Sequence, residues 1–247
     1  MKLRRLLPDP AETTVLDQMA GFSPFERAPG DRPYVYTNFA LTVDGKATID
    51  GRSGSIGSDT DTAMLVGLRT RADAVMVGSG TVRAEGYGRV VSDPAKRALR
   101  ESHGLAADPI VVVVSGRLNL PWDAPLFTEG GGEVLVFTAS RATPPQTETR
   151  VEIIRHPAGV DVVEAMRHLR TERGIRALLC EGGPSLHADL VGAGLVDEMF
   201  VTRAPKLAGG QGPEIFNGLA AGERDLELVW LLTNGEGELY ARYRLRD

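Results

Sequence analysis

From Tyr34 onward the chain alternates short β-rich runs with helix-like segments, and no other feature restricts its fold as much. Strands are expected at 34–41, 74–77, 110–115, 134–138, 151–154, 177–180 and 198–204, with helices at 58–71, 94–102, 161–173 and 184–191. Such alternation builds an α/β fold, a mainly parallel central sheet covered by helices on both faces. Near the C-terminus, runs at 226–233 and 238–245 flank Asn234-Gly235-Glu236-Gly237, a turn sequence that predicts an antiparallel hairpin. Residues 1–33 mix charge, proline and glycine and read as a loosely structured extension with one short helix, packed over a single domain of residues 34–247.

Two helix starts have chemical signatures. Ser58 with Asp61 has capping-box spacing, Asp standing for the usual Glu, and Asp161 precedes a helix with Glu164 in its first turn. The net charge of −5 implies no basic surface for nucleic acid or an anionic membrane, so an anionic ligand must be held by local groups. Cys180 is the only cysteine, which excludes an intramolecular disulfide and a cysteine-cluster zinc site and fits a reducing cytoplasm. The apolar run at the N-terminus is broken by Pro8-Asp9-Pro10, too early for a signal sequence, and no segment reaches the roughly 20 apolar residues of a membrane span.

Two strand ends carry glycines. In Leu179-Cys180-Glu181-Gly182-Gly183-Pro184-Ser185-Leu186 an apolar strand meets a carboxylate, a glycine pair and a proline suited to the first helical position, the makings of a phosphate seat at a helix N-terminus. In Ala74-Val75-Met76-Val77-Gly78-Ser79-Gly80-Thr81 a buried strand runs into glycines and hydroxyls, but Arg83 stands where a dinucleotide fingerprint needs its third glycine. A tight strand-to-helix turn is the plainer reading of that loop. Lys46, after the Asp44-Gly45 turn, can reach a ligand at a strand's carboxyl end, though alone it reads as a surface lysine. Arg69 and Arg89 are candidate phosphate clamps, whereas Arg71 and Arg83 read as solvated helix surface. The four histidines lack metal-ligand spacing, Cys180 reads as a small buried hydrophobe, and neither a nucleophile elbow nor a Walker lysine is present. Phosphate seats without a metal set or nucleophile suit chemistry supplied by a cofactor, with hydride transfer from a nicotinamide as the leading case.

Together these motifs resemble the pyrimidine reductase family of riboflavin biosynthesis, the reductase domain of the bifunctional deaminase/reductase, which has a dihydrofolate-reductase-like fold. The resemblance rests on Ala40-Leu41-Thr42-Val43-Asp44-Gly45-Lys46, on Asp73 through Val82, on Ser115 through Trp122, and on Glu181-Gly182-Gly183-Pro184-Ser185-Leu186 continuing to Gly194-Leu195-Val196-Asp197-Glu198. It implies a standalone, NADPH-dependent, homodimeric oxidoreductase that reduces 5-amino-6-(5-phosphoribosylamino)uracil by hydride transfer to C1′ of its sugar. By the family pattern Ala40, Ser55, Thr81, Glu85, Ser115 and Gly182 through Asp189 (Gly182, Gly183, Pro184, Ser185 and Leu186 foremost) contact the cofactor. Ser53, Lys46, Arg69, Arg89 and Glu181 face the substrate, with Arg69 and Arg89 toward its phosphate, Glu181 toward pyrimidine N–H groups, and Lys46, Glu85 and Glu181 as the catalytic set.

The chain departs from that pattern in two places. Thr42 replaces a serine and keeps its hydroxyl, whereas Glu85-Gly86-Tyr87-Gly88-Arg89 replaces the usual Asp-Asp-Pro segment, beside the substrate. Two other readings stay open: a reductase of the same fold acting on another heterocycle, such as dihydrofolate, and a nucleotide-binding module without turnover.

Overall fold

A computed structural model describes residues 1–210 and 214–246. Its strands are β1 (Lys2–Leu7), β2 (Ala11–Thr14), β3 (Tyr34–Leu41), β4 (Ala74–Gly78), β5 (Ile110–Val114), β6 (Glu133–Thr138), β7 (Arg150–Arg155), β8 (Ala177–Gly182), β9 (Glu198–Arg203), β10 (Leu226–Thr233) and β11 (Leu239–Leu245). The helices are α1 (Val15–Ala20), α2 (Asp59–Arg69), α3 (Ser79–Glu85), α4 (Pro94–Ser102), α5 (Pro125–Thr128), α6 (Val162–Thr171) and α7 (Pro184–Gly192).

All eleven strands join one sheet in the order β2-β1-β10-β11-β9-β3-β8-β4-β5-β6-β7. From β9 to β7 every neighbouring pair is parallel, and from β2 to β9 every pair is antiparallel. The parallel half is buried on both faces, and its side chains show why those runs are continuously apolar. Val75 and Val77 of β4 enter one core with Met64 and Leu68 of α2, while Ala74 and Met76 enter the other with Met166 of α6 and Leu190 of α7. The expected hairpin forms, β10 pairing β11 antiparallel across the Asn234–Gly237 turn. Among the described residues no helix is long and apolar enough to cross a membrane.

The first 33 residues are more ordered than the loosely structured extension expected. β1 pairs with β10, and Leu3, Val15, Met19 and Phe22 belong to the core under α2. Phe22 packs edge-on against Tyr36 and Phe200, with ring centroids 4.9 and 5.2 Å away. Arg27 reaches the fully buried Glu198, which also takes a bidentate pair from Arg242.

The segment after β4 is the tight strand-to-helix turn of the plainer reading, α3 starting at Ser79 with Gly78 as its N-cap. One local expectation is corrected. Ser58 does cap α2, but it accepts from Thr60 N–H rather than pairing with Asp61, and its hydroxyl donates to Glu238. The Asp61 carboxylate lies over Gly57, and the residue lines the cavity described next. Asp161 caps α6 as expected, accepting from Val163 and Glu164.

Candidate active site

The carboxyl ends of β3, β4, β5 and β8 open into one cavity of about 750 Å³, the position at which open α/β sheets bind ligands. Asn38 to Ala40 line it from β3, Gly78 from β4, Val114 from β5, and Glu181 and Gly182 from β8. Residues from α2, α3 and the first turn of α7 complete the wall, with the loops around 47–57 and 86–90.

The glycines allow β4 and β8 to end against each other. Gly182 has φ +121°, a region that side chains rarely adopt, and the Gly182–Gly183 peptide is cis. A Cβ on Gly78 would stand 3.1 Å from the Gly183 nitrogen, and one on Gly183 would stand 3.2 Å from Thr81 Oγ1. Gly183 is the N-cap of α7 and offers no side chain to its first turn, where Pro184 occupies the first position. The unpaired N–H groups of that turn therefore face the cavity with the positive end of the helix dipole behind them.

At the far wall three side chains lock together. Arg69 Nε and Nη2 donate to the two oxygens of Glu181 at 2.6 and 2.7 Å, Arg69 Nη1 donates to the Val90 carbonyl at 2.9 Å, and the Tyr87 hydroxyl donates to Glu181 Oε2. The Glu181 side chain is only 4% exposed. Burial pushes the Arg69 guanidinium down, but Glu181 and Tyr87 more than offset it, so its pKa stands above the ordinary arginine value. Burial and then the Glu181 charge hold the Tyr87 phenol well above its usual range, so it stays a donor.

The opposite wall is aromatic. His187, in the first half of α7, packs against Phe39 and Phe216, with centroids 5.5 and 6.3 Å away, and its Nε2 lies 3.5 Å from the Cys180 carbonyl. Burial lowers its pKa to about 4, so the ring is neutral near pH 7.

The cavity brings together most of the residues singled out in the sequence: Ala40, Ser53, Arg69, Thr81, Glu85, Arg89, Glu181, Gly182, Gly183, Pro184, Ser185 and Leu186 all line it. Glu85 accepts from both the N–H and the hydroxyl of Ser53, at 3.1 and 2.8 Å, tying α3 to the 51–55 loop. Lys46, Ser55 and Ser115 do not line it. Lys46 precedes the lining residues Ala47 and Thr48, and its backbone closes the turn onto Thr42. The Ser55 carbonyl accepts from Lys206 Nζ at 2.7 Å, and Ser115 is buried just past β5. Arg89 touches the rim but pairs with Asp108 at 3.3 Å. Arg69 is no free phosphate clamp and Glu181 no open acceptor, because each already holds the other. Tyr87 and Asp61 are the site residues that sequence reasoning missed, whereas His187 falls in the Gly182–Asp189 run expected at the cofactor. Of the two missed, only Tyr87 had a signal, its place in the departing Glu85–Arg89 segment.

Comparison with known proteins places these features in context. Residues 33–239 match the family model described as the RibD C-terminal domain. The 2,5-diamino-6-ribosylamino-4(3H)-pyrimidinone 5′-phosphate reductase of Archaeoglobus fulgidus is 31% identical over 185 residues, covering 73% of this chain and 84% of the relative. The protein of the same name from Methanothermobacter thermautotrophicus is 35% identical over 188 residues, covering 73% and 81%. Among solved structures, a pyrimidine reductase-like protein of Corynebacterium diphtheriae superposes with a TM-score of 0.79 at 23% identity, covering 95% of this chain and all of that one, a likeness of fold.

Proposed function

The chain belongs to the RibD C-terminal domain family, and from that premise we propose that it is an NADPH-dependent reductase of a ribosylaminopyrimidine 5′-phosphate, forming the ribitylamino product. The observation that carries this reading is the glycine-lined junction of β4, β8 and α7 at the floor of the cavity. The reading covers both 5-amino-6-(5-phosphoribosylamino)uracil and the diaminopyrimidinone for which the archaeal relatives are named.

The residues present fit a dinucleotide. Gly78 and Gly183 let the ends of β4 and β8 meet closely at the cavity wall, and the first turn of α7 carries no side-chain cap that would compete with a ligand. Gly183, Ser185, Leu186 and Thr81 would hold its phosphates, and the apolar wall of Phe39, Ala40 and His187 would receive a flat ring. When bound, the reduced nicotinamide supplies a hydride.

In the reaction the sugar opens to an imine. C1′ takes the hydride, the electrons of the C=N bond move to nitrogen, and nitrogen keeps or gains a proton. The protein's share is alignment, exclusion of water and delivery of that proton. Glu85, exposed at the rim and bonded to Ser53, handles the proton in this reading, with Lys46 as the second candidate. Arg69 and Tyr87 fix Glu181, and the locked triad forms the rigid end against which the substrate is held. Exposed Leu226, Leu228 and Leu239 on the β10–β11 hairpin give the homodimer a contact face, checked by sedimentation.

The test is the purified protein with NADPH and each ribosylaminopyrimidine phosphate, following loss of the reduced-nicotinamide absorbance. Rapid loss supports the reading. Loss only with dihydrofolate assigns another heterocycle, and binding without oxidation assigns a nucleotide-binding module.

A further inference from the structure

The segment 204–209 after β9 does not line the cavity, yet it is tied to a loop that does. Lys206 Nζ donates to the Ser55 carbonyl at 2.7 Å and to the Ile56 carbonyl at 3.0 Å. Both carbonyls belong to the turn that the Ile56 N–H closes onto the Ser53 carbonyl at 2.9 Å. Among the described residues no carboxylate pairs with Lys206, so its ammonium is committed to this turn.

Lys206 is itself held in place. Its carbonyl accepts from the Val43 N–H at 2.8 Å, and its own N–H donates to the Ala204 carbonyl at 2.8 Å. Just beyond it, the Asp44 carboxylate accepts from the Ala208 and Gly209 N–H groups at 3.1 and 2.8 Å. The two segments therefore clasp each other with opposite charges, an acid of the first on amides of the second and an ammonium of the second on carbonyls of the first.

From the turn the connection runs into the cavity. Ser53 starts the turn and lines the cavity, and its N–H and hydroxyl both donate to Glu85 Oε1, at 3.1 and 2.8 Å. Packing alone does not fix the turn. Ile56 is fully buried, but a Cβ on Gly51 or Gly54 would meet nothing within 4 Å, so the side of the loop that lines the cavity has no neighbour to wedge it. Directional bonds to its carbonyls supply the orientation that one apolar anchor cannot.

We propose that Lys206 is a positioning residue for the reaction: by capping the Ser53–Ile56 turn it sets the Ser53–Glu85 contact and so aims the Glu85 carboxylate. This deepens the proposed function and rests on it, since Glu85 handles the proton there. Lys206 touches neither substrate nor cofactor in this role. Its effect passes through the turn, and small displacements of a proton-transfer group lower the rate of the chemical step.

The experiment compares wild type with Lys206→Met, Lys206→Arg, Ser53→Ala and the Ser53→Ala/Lys206→Met double variant, with thermal melts to establish folding. KM and kcat are measured with NADPH and a ribosylaminopyrimidine phosphate, and hydrogen exchange is followed across residues 51–57. Lys206→Met is expected to lower kcat by about three- to tenfold and leave KM for NADPH within about twofold, and Lys206→Arg to restore most of the loss. Once Ser53→Ala has removed the hydroxyl contact, adding Lys206→Met is expected to cost much less than it does alone, because both act through one contact. Exchange across 51–57 is expected to quicken in Lys206→Met and not in Lys206→Arg. Effects that multiply in the double variant, a wild-type kcat in Lys206→Met, or unchanged exchange would each overturn the proposal. If wild type turns over neither pyrimidine, the reductase reading fails, and the exchange measurement alone decides whether Lys206 holds the turn.

Discussion

Replacing Arg69 by methionine removes the partner of a carboxylate that is almost wholly out of water. Arg69 gives Glu181 two charged hydrogen bonds at 2.6 and 2.7 Å, and the Glu181 side chain is 4% exposed. Breaking a buried pair from one side costs about 3–5 kcal/mol, because the remaining charge keeps its desolvation penalty. The Tyr87 hydroxyl still donates to Glu181 in the variant, which places the expected loss at the lower end, about 3 kcal/mol. For a chain of this size that corresponds to a fall in Tm of about 6–12 °C. The assay is urea unfolding of wild type, Arg69→Met, Glu181→Gln and the double variant, read by circular dichroism near neutral pH. The double variant removes the stranded charge, so it is expected to be more stable than the sum of the single losses allows, by about 2–3 kcal/mol. Additivity to within about 0.5 kcal/mol would refute the reasoning.

Three further outcomes follow from the same geometry. His187 ordinarily titrates near 6.5 but is held at about 4 by burial, so between those values the unfolded chain takes up a proton that the fold refuses, and stability falls as pH drops through that window by about 3 kcal/mol; His187→Gln is expected to flatten that part of the unfolding profile. Gly182→Ala forces a side chain onto φ +121° and is expected to cost about 1–3 kcal/mol by urea unfolding and to weaken NADPH binding in a fluorescence titration. The Cys180 thiol, pushed up to about 12 by burial, is expected to resist thiol reagents at mildly alkaline pH until the protein is unfolded in urea.

The parallel half of the sheet was legible because each strand there is sandwiched: Ala74-Val75-Met76-Val77 has no polar face to confuse with anything else. β1 was not, since the charged run Lys2–Leu7 is held as a strand between β2 and β10, the latter more than two hundred residues away. α3 was hidden by Gly80 within it and the glycines that cap it, the low helix propensity of Gly80 being overridden by the packing of Val82 into the core. The site shows the same limit. Glu181 and Arg69 each announced themselves by residue type and neighbourhood, but their union spans 112 positions and no local pattern encodes it. Asp61 looked like a capping acid because its spacing from Ser58 fits one, yet Ser58 is bound to Glu238 and the Asp61 carboxylate lies over Gly57 in the cavity wall.

The most direct test of the central claim follows the transferred hydrogen. With NADPH deuterated at the transferable nicotinamide C4 position and a ribosylaminopyrimidine phosphate as acceptor, the proposed chemistry delivers one deuterium to C1′ of the ribitylamino product, located by mass spectrometry and NMR. A product without deuterium at C1′, or deuterated cofactor that is bound and never oxidised with either pyrimidine, would contradict it.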